Sequence, residues 1–267
     1  MTSLHTYPIK GCYRVDHREL SIEPWGPAGD RRWMIVDDGG TMLTQRELPD
    51  LVRIKPEADG PVLRLRADGH AVLTVTSAPG ELVDAKVFSD PIQASPVGPE
   101  ADAWLSAALG RPVRLLWLDD PTRRPVQPEW SRATDRVSLA DEFPVLVTNT
   151  ASLAWLNDAL VEAGSPEGPL PMTRFRPNIV VEGAAPWAED EWLGRRVRIG
   201  DTEFRAVKGH GRCVVTTTDQ DTGTRGHEPL RILARHRNVD RSLLFGVVLI
   251  PDAPGTVPLN APLTLLP

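Results

Sequence analysis

Proline and glycine interrupt this chain so often that few stretches are long enough for a helix. The 267 residues include 26 prolines and 21 glycines, and apolar residues at helical spacing are confined to short segments. Proline cannot continue a helix or donate to a central strand, and glycine favours turns. The sequence therefore predicts a mainly β (α+β) fold of short strands and loops with a few short helices.

The first part of the chain contains short apolar runs separated by turn residues. Arg14–Glu23 and Asp30–Asp37 are predicted strands, and Met42–Arg46 is expected to return after a glycine turn as the partner of the second. One helix, Glu100–Leu109, has its apolar positions on one face and ends before Gly110. The pattern indicates a small antiparallel sheet or barrel interrupted by one helix.

A segment rich in proline and charge, residues 119–134, is interpreted as a linker or a long surface loop. We therefore predict two domains, residues 1–118 and 119–267. The second domain begins with a buried strand at Val145–Thr148 and a helix at Ala151–Ala163 that Asn149 or Thr150 can cap, and it continues as further short strands.

Charge and cysteine content exclude several classes of protein. The net charge is −6, whereas a general nucleic-acid binder is basic. No apolar run approaches the roughly 18 residues of a membrane span, and residues 1–10 lack the apolar stretch of a signal peptide. With only Cys12 and Cys213, no disulfide framework is expected. We expect a cytoplasmic protein without nucleic-acid or membrane partners.

The stretch Lys208–Gly223 concentrates reactive groups. Cys213 follows a glycine-bearing loop, Gly209–Arg212, and precedes the β-branched run Val214–Thr218, which predicts a strand, while Asp219–Gly223 predicts a polar turn. The glycines let backbone approach a bulky ligand, and arginine offers a forked donor to phosphate or carboxylate. On spacing alone, a half-buried structural cysteine is the more common outcome.

Three kinds of chemistry could use this cysteine. A zinc site could draw on Cys213, His210 and His227, but no Cys-x-x-Cys or His-x-x-x-His pair supports it. A Cys–His hydrolase needs a base, and the six histidines offer no preferred partner. A lone thiolate can instead be the single protein ligand of a metal whose other ligands come from an organic cofactor. Basic groups that could hold such an anionic cofactor are Lys10, Arg31, Arg174, Arg176 and Arg212.

Several ordered motifs resemble one family. The run Arg212–Gly223 is similar to the signature of the MOSC domain, in the branch that includes the mitochondrial amidoxime-reducing component and its bacterial relatives. Arg176-Pro177-Asn178 before the strand Ile179–Glu182 resembles that branch's Phe-Arg-Pro-Asn-Ile-Val motif. The resemblance runs from about residue 3 to residue 266. The motifs similar to the β-barrel domain that precedes MOSC are Tyr7–Lys10, Asp30–Trp33 and Thr44-x-Arg46.

The resemblance implies an N-terminal β-barrel domain packed on a MOSC β-barrel domain, with a pterin-based molybdenum cofactor (molybdenum–molybdopterin) between them. The cysteine that matches Cys213 is implied to be the metal ligand and the catalytic residue. The loop Asp141-Glu142-Phe143 is implied to lie against the cofactor. The residues implied to contact the pterin or its phosphate are Lys10, Gly11, Arg31, Arg176, Asn178, Gly211 and Arg212.

The implied activity is a two-electron reduction of N-hydroxylated compounds such as amidoximes and hydroxylamines. Electrons are expected from a separate flavin or iron–sulfur protein, because the chain has no cysteine cluster for an iron–sulfur domain. The alternative is a sulfur-carrier (persulfide) or cofactor-handling module, since MOSC relatives include domains of molybdenum cofactor sulfurases. The resemblance also brings a family-level label of pyridoxal phosphate binding.

The chain departs from the family's pattern at two places. Gly11 follows Lys10 where relatives often have serine, and His210-Gly211 precedes Arg212 where relatives often have Cys-Ser. The first cysteine of that pattern is usually not the ligand, so its replacement is expected to leave the metal site intact. His210 and Gly211 are expected to change the pocket or its substrate. No N-terminal membrane anchor like that of the mitochondrial forms is expected.

Overall fold

Short strands joined by tight turns make up most of the structure. A computed structural model describes residues 1–267 and contains nineteen strands, three α-helices and six short 3₁₀ helices. The longest helix has 13 residues, and no helix is both long and apolar enough to cross a membrane. The prediction of a mainly β fold with few, short helices is confirmed.

The strands of the first half precede or flank one helix, α1 (Pro99–Leu109). In chain order they are β1 (Ser3–Thr6), β2 (Val15–His17), β3 (Glu19–Glu23), β4 (Gly26–Pro27), β5 (Trp33–Val36), β6 (Lys55–Asp59), β7 (Val62–Arg66), β8 (Leu73–Thr76), β9 (Val83–Val87), β10 (Asp90–Pro96) and β11 (Arg114–Trp117).

The second half contains the other two helices, α2 (Thr150–Glu162) and α3 (Leu230–His236). Its strands are β12 (Val145–Asn149), β13 (Ile179–Val181), β14 (Arg196–Ile199), β15 (Thr202–Gly211), β16 (Asn238–Val239), β17 (Ser242–Pro251), β18 (Gly255–Pro258) and β19 (Leu263–Leu265).

The largest sheet combines both ends of the chain. Its nine strands run in the order β19-β14-β15-β17-β12-β13-β1-β2, with β16 pairing β17 at the side. Only β12 and β13 are parallel. Leu4 of β1 lies opposite Ile179 of β13, so β1 and its neighbour β2 extend a sheet otherwise built from the second half. The boundary between residues 118 and 119 stays a prediction.

Alternating side chains cover both faces of this sheet. In β17, Val247 and Leu249 join one buried cluster, whereas Val248 and Ile250 join another on the opposite face. This is the period-2 pattern of a strand buried on both sides. Each such side chain contributes about 1.5–3 kcal/mol when it leaves water. The sheet is therefore a rigid support for the loops at its edge.

Three smaller sheets complete the fold, in the orders β5-β11-β10-β9, β6-β7-β8 and β18-β3-β4. Trp33 of β5, Leu63 of β7 and Leu105 of α1 are fully buried in one common core. α1 begins at Pro99, one residue before the predicted start at Glu100, and Gly110 ends it in the left-handed conformation, as the sequence predicts. Asn149 caps α2, because its side-chain oxygen accepts a hydrogen bond from the backbone N–H of Ala151.

Two predicted strands are wrong in extent. Arg14–Glu23 divides at Arg18 into β2 and β3, which pair with different sheets. Of Met42–Arg46, only Met42 pairs with β5 as predicted, through an antiparallel bridge to Val36; the Thr44 hydroxyl donates to the Glu47 carboxylate (2.5 Å), and the chain turns there. Such local side-chain bonds compete with strand pairing.

Gly246 provides a test of the packing between β17 and β12. It has a φ of +78°, and a Cβ there would lie 2.6 Å from the Val147 carbonyl oxygen. We expect Gly246→Ala to lower the free energy of unfolding by roughly 2–5 kcal/mol, because backbone strain and overpacking combine. Gly110 is the matched control, with a φ of +66° and nothing within 4 Å. Gly110→Ala should lose only about 1–2 kcal/mol. Equal losses of unfolding free energy for the two variants in chemical denaturation would contradict the close approach of Gly246 to the Val147 carbonyl.

Candidate functional site

One cleft contains all eleven residues that the sequence analysis selected. It has about 910 Å³ of empty space, counting its opening to solvent. Its walls come from both halves of the chain. That these residues hold a cofactor stays a prediction. They are Lys10, Gly11, Arg31, Asp141, Glu142, Phe143, Arg176, Asn178, Gly211, Arg212 and Cys213.

Cys213 lies between a strand and a 3₁₀ helix, the reverse of the order that the sequence predicted. The glycine-bearing segment is the end of β15, and the 3₁₀ helix Val214–Thr217 follows the cysteine. The Thr216 hydroxyl donates to the Cys213 carbonyl (2.9 Å), and the Thr217 hydroxyl donates to the Val214 carbonyl (2.8 Å). These bonds tighten the chain into a turn and override the β preference of the residues.

Only one of the two cysteines is available to a ligand. Cys213 is half-buried and lines the cleft. Cys12 is fully buried, and burial raises the pKa of its thiol to about 12. A thiolate is the form that binds metals and reacts as a nucleophile. Cys213 is therefore the thiol that can act in this site.

The predicted turn after the cysteine is present and locks the cysteine segment. The Asp219 carboxylate accepts from the backbone N–H of Asp221 (3.1 Å) and of Thr222 (2.9 Å). Arg174 donates to the Thr217 carbonyl (2.7 Å) and pairs with Asp219 (3.4 Å). The segment that carries the thiol is thus held on its C-terminal side.

Two arginines of the cleft flank one buried tyrosine. The guanidinium carbons of Arg31 and Arg176 each lie 4.2 Å from the ring centroid of Tyr7. Burial raises the pKa of Tyr7 to about 12, and its hydroxyl donates to the Pro177 carbonyl (3.1 Å). The Arg31 guanidinium also donates to Asp30 (2.6 Å). Cation–π contacts of this kind hold the planar heads in fixed positions.

Arg176 joins the two halves of the chain. Its Nη1 donates to the Cys12 carbonyl and to the Gln220 side chain, both at 2.8 Å. Gln220 exchanges a pair of amide hydrogen bonds with Gln45 (2.9 and 3.0 Å), and Gln45 also donates to the Gly11 carbonyl (2.6 Å). Burial lowers the pKa of Arg176 to about 10, so the group remains charged at neutral pH.

Lys10 and Asp141 form an ion pair at the cleft. The Lys10 ammonium is buried and donates to the Asp141 carboxylate. Burial lowers the pKa of Lys10 to about 8, although Asp141 acts in the opposite direction. The surrounding protein disfavours the charge on Asp141, but Lys10 outweighs this effect and holds the pKa of Asp141 well below its usual range. The pair is charged at neutral pH.

Asn178 lines the cleft, but its amide is largely committed to the fold. Its Oδ1 accepts from the Leu146 N–H and its Nδ2 donates to the His5 carbonyl, both at 3.1 Å. These two bonds connect β13 to β12 and to β1. The resemblance implies that Asn178 contacts the pterin or its phosphate, and these two bonds leave only part of its amide's donor and acceptor capacity for such a contact.

His210 and Arg212 carry buried nitrogen atoms without partners. His210 Nδ1 and Arg212 Nε make no hydrogen bond. Burial, with Arg212 next, lowers the pKa of His210 to about 3, so its imidazole is neutral at physiological pH. Burial lowers the pKa of Arg212 to about 10. Buried polar atoms are normally paired, so these two atoms are positions where polar atoms of a ligand can bind.

The two glycines of the predicted site have different constraints. Gly11 has a φ of +84°, and a Cβ there would lie 3.1 Å from Leu51 Cδ1, so backbone conformation favours glycine. A Cβ at Gly211 would meet only Ser242, at 3.8 Å. On the same wall Glu142 pairs with Lys208 (3.0 Å), whose ammonium lies 5.4 Å from the centroid of Phe143.

Several other residues of the cleft wall were not predicted from the sequence. Gln45 lies inside the motif Thr44-x-Arg46, so the motif could have indicated it. Phe175 precedes Arg176 in the Phe-Arg-Pro-Asn motif and could have been found in the same way. Phe88 lies in no motif, and only the strand pairing brings it to the cleft.

Comparison with known proteins identifies the family. The chain matches the MOSC N-terminal beta barrel domain over residues 1–112 and the MOSC domain over residues 134–264. Mitochondrial amidoxime-reducing component 1 of Homo sapiens is 32% identical over 287 aligned residues, which take in 100% of this chain and 82% of that protein.

Molybdenum cofactor sulfurases are also similar. The protein of Danio rerio is 31% identical, covering 93% of this chain and 31% of the sulfurase, and that of Anopheles gambiae is 34% identical, covering 93% and 34%. The chain thus spans about a third of the length of these sulfurases. The chain belongs to the family of MOSC proteins that carry the N-terminal MOSC β-barrel domain, which confirms the resemblance found in its motifs.

The accessibility of the two thiols can be tested directly. We expect the native, cofactor-free protein to react with one equivalent of a thiol reagent such as 5,5′-dithiobis(2-nitrobenzoate), because Cys12 is buried and its pKa is raised to about 12. Both thiols should react after denaturation. Cys213→Ser should abolish the native reaction, while Cys12→Ser should retain it. Two fast equivalents in the native protein would contradict the burial of Cys12.

The pKa of Lys10 predicts how anion binding depends on pH. A ligand such as sulfate, whose charge is constant from pH 6 to pH 10, should bind the cofactor-free cleft with a level affinity below about pH 8. Above that pH the free protein loses the ammonium charge, and the affinity should fall by up to about tenfold per pH unit. Lys10→Arg keeps the charge and should remove the fall. Calorimetric titrations that show the same pH profile for both proteins would exclude Lys10 as the cause.

Proposed function

We propose that this protein holds a pterin-based molybdenum cofactor in the cleft, with Cys213 as the protein ligand of molybdenum, and that it reduces N-hydroxylated compounds. The observation that carries the proposal is the position of the one accessible thiol, Cys213, in a cleft whose walls bear Lys10, Arg31, Arg176 and Arg212. Relatives named for amidoxime reduction and for the molybdenum cofactor support it.

The residues present fit such a group. Five guanidinium groups and one ammonium line the cleft, and its two carboxylates are already paired, Asp141 with Lys10 and Glu142 with Lys208. The walls therefore carry excess positive charge that suits an anionic, phosphate-bearing cofactor. Arg212 Nε and His210 Nδ1 are buried and unpaired, as expected where a polar ligand completes the site. No three His, Cys, Asp or Glu side chains are grouped to hold a metal by themselves, so the other metal ligands would come from the cofactor.

The side chains divide into three roles. Cys213 would supply the thiolate, a suitable ligand for a soft metal centre. Lys10, Arg31, Arg176 and Arg212 would bind the phosphate and the pterin edge, with their positions fixed by the contacts described above. The loop Asp141–Phe143 would form part of the wall, because Asp141 accepts a hydrogen bond from Lys10 and the side chain of Phe143 is buried.

When bound, the cofactor supplies a two-electron redox centre. In the net reaction the N–O bond of the substrate breaks, two electrons and two protons are taken up, and the oxygen leaves as water. The reductant is a separate electron-donor protein of the flavin or iron–sulfur class. We place this reaction in the cytoplasm. Because the pKa of His210 is lowered to about 3, its imidazole is neutral and would not act as a cationic proton donor. The protons would come from solvent or from other groups.

Metal analysis tests the function. Protein purified from a molybdenum-competent host should contain close to one molybdenum per chain and should reduce benzamidoxime when given an electron donor. Cys213→Ala should lose the metal, because no other thiol lines the cleft. The matched control is Cys12→Ala, which should retain the metal because Cys12 contacts Arg176 through its backbone carbonyl only.

A second function is favoured by the similarity to molybdenum cofactor sulfurases. In that case Cys213 would carry a persulfide sulfur or pass on a cofactor. Metal-free wild-type protein from a competent host would defeat the reductase proposal. A mass increase of about 32 Da on Cys213, removed by dithiothreitol, would then support the sulfur carrier, since a persulfide is a reversible modification of a thiol.

A further inference from the structure

A second recess opens next to the cleft and meets it at the cysteine. Its lining shares Arg46, Phe88, Asp141, His210 and Cys213 with the cleft, among others. Most of its other side chains are polar, and Phe88 is the one hydrocarbon side chain in the recess. A small molecule that approaches Cys213 from this side therefore passes one flat apolar surface, the ring of Phe88.

Phe88 occupies a backbone conformation that favours glycine. β9 and β10 pair Val87 with Asp90, so Phe88 and Ser89 form a two-residue hairpin turn. Phe88 has a φ of +56°. Hairpin turns of this length usually place glycine, asparagine or aspartate at a position with positive φ, because a larger side chain is strained there. The sequence thus keeps an aromatic residue where the backbone disfavours one.

Packing within the protein does not account for this choice. The ring of Phe88 is 37% exposed and belongs to none of the buried hydrophobic clusters. Its neighbours are charged: Arg46 Cζ lies 4.8 Å and Lys10 Nζ lies 5.3 Å from the ring centroid. Residues held in strained backbone conformations are concentrated at active sites and ligand-binding sites, where the strain is part of the mechanism.

We propose that Phe88 is a specificity-determining residue that stacks on the ring of flat aromatic substrates at the mouth of the cleft. This inference rests on the proposed reductase function and names a recognition element for it. The ring offers an offset-stacking surface to an aromatic plane, while Arg46 and Lys10 keep it in place from the side. The N-hydroxy group of a substrate stacked there would point toward Cys213, where the recess and the cleft meet. An aliphatic substrate has no ring to stack.

Replacing Phe88 by glycine should change the stability of the fold and the binding of an aromatic substrate in opposite directions. Phe88→Gly should raise the equilibrium constant for folding by roughly 3- to 10-fold, because the strain of the positive φ is relieved. The same variant should raise the KM for benzamidoxime by roughly 3- to 10-fold, which corresponds to the loss of the interaction free energy of one aromatic pair. Its kcat should not change. The KM for acetamidoxime, which has no ring, should not change.

Three variants refine the comparison. Phe88→Tyr keeps the flat ring and should keep the wild-type KM, while Phe88→Leu keeps apolar bulk without a flat ring and should behave like Phe88→Gly in binding. Asn260, with a φ of +69° and no position on the cleft wall, gives the backbone control. Asn260→Gly should leave the KM for both amidoximes unchanged. The molybdenum content of every variant should equal that of the wild type.

The outcomes distinguish this inference from the proposed function. If wild-type protein lacks molybdenum, the reductase proposal fails, and benzamidoxime binding by calorimetry still decides the role of Phe88. Wild-type and Phe88→Leu proteins that bind benzamidoxime equally well would overturn the inference, as would wild-type protein that does not bind it. A large loss of stability in Phe88→Gly would show instead that the ring is a structural residue.

Discussion

Six cationic side chains line the wall of one cleft, and their loss of water together with their mutual repulsion is the constraint on which this site depends. The effect is visible in the pKa values of Lys10, Arg176 and Arg212, which burial lowers to about 8, 10 and 10. Bringing like charges together in a half-buried space is unfavourable unless acceptors are supplied. The fold supplies the Asp141 carboxylate to Lys10 and backbone carbonyls to the two arginines. An anionic ligand would balance the charge that these acceptors leave.

The acceptors come from segments that are far apart in sequence. Arg176 reaches the Cys12 carbonyl across 164 residues, and the amide pair of Gln45 and Gln220 spans 175 residues. Cys12 follows β1 and Arg176 precedes β13, and these two strands lie side by side in the large sheet. The cleft therefore exists only after the start of the chain has joined the strands of its second half. Long-range pairing of this kind forms late because closing the loop is entropically unfavourable.

This dependence explains how much the sequence could predict. Dense proline and glycine, the end of α1 at Gly110 and the turn at Asp219 are local signals, and each prediction from them agrees with the structure. The membership of β1 in the second half's sheet has no local signal. The strand expected after Cys213 failed for a different reason, because the Thr216 and Thr217 hydroxyls bond to backbone carbonyls and override β propensity. Family motifs, not spacing, selected the residues of the cleft.

Backbone strain is concentrated around the same cleft. Of the seven residues other than glycine with positive φ, Arg31, Phe88 and Arg176 line it. Glycine would relieve the backbone at each position but could supply neither a guanidinium nor a ring. Arg31 and Arg176 are held in place by Tyr7 and by hydrogen bonds, so the fold itself accounts for them. The ring of Phe88 makes no hydrogen bonds, and the cations Arg46 and Lys10 lie 4.8 and 5.3 Å from its centroid. Because these contacts leave the ring outside the buried hydrophobic clusters, its retention in a strained conformation is best explained by a contact that forms when a ligand is bound.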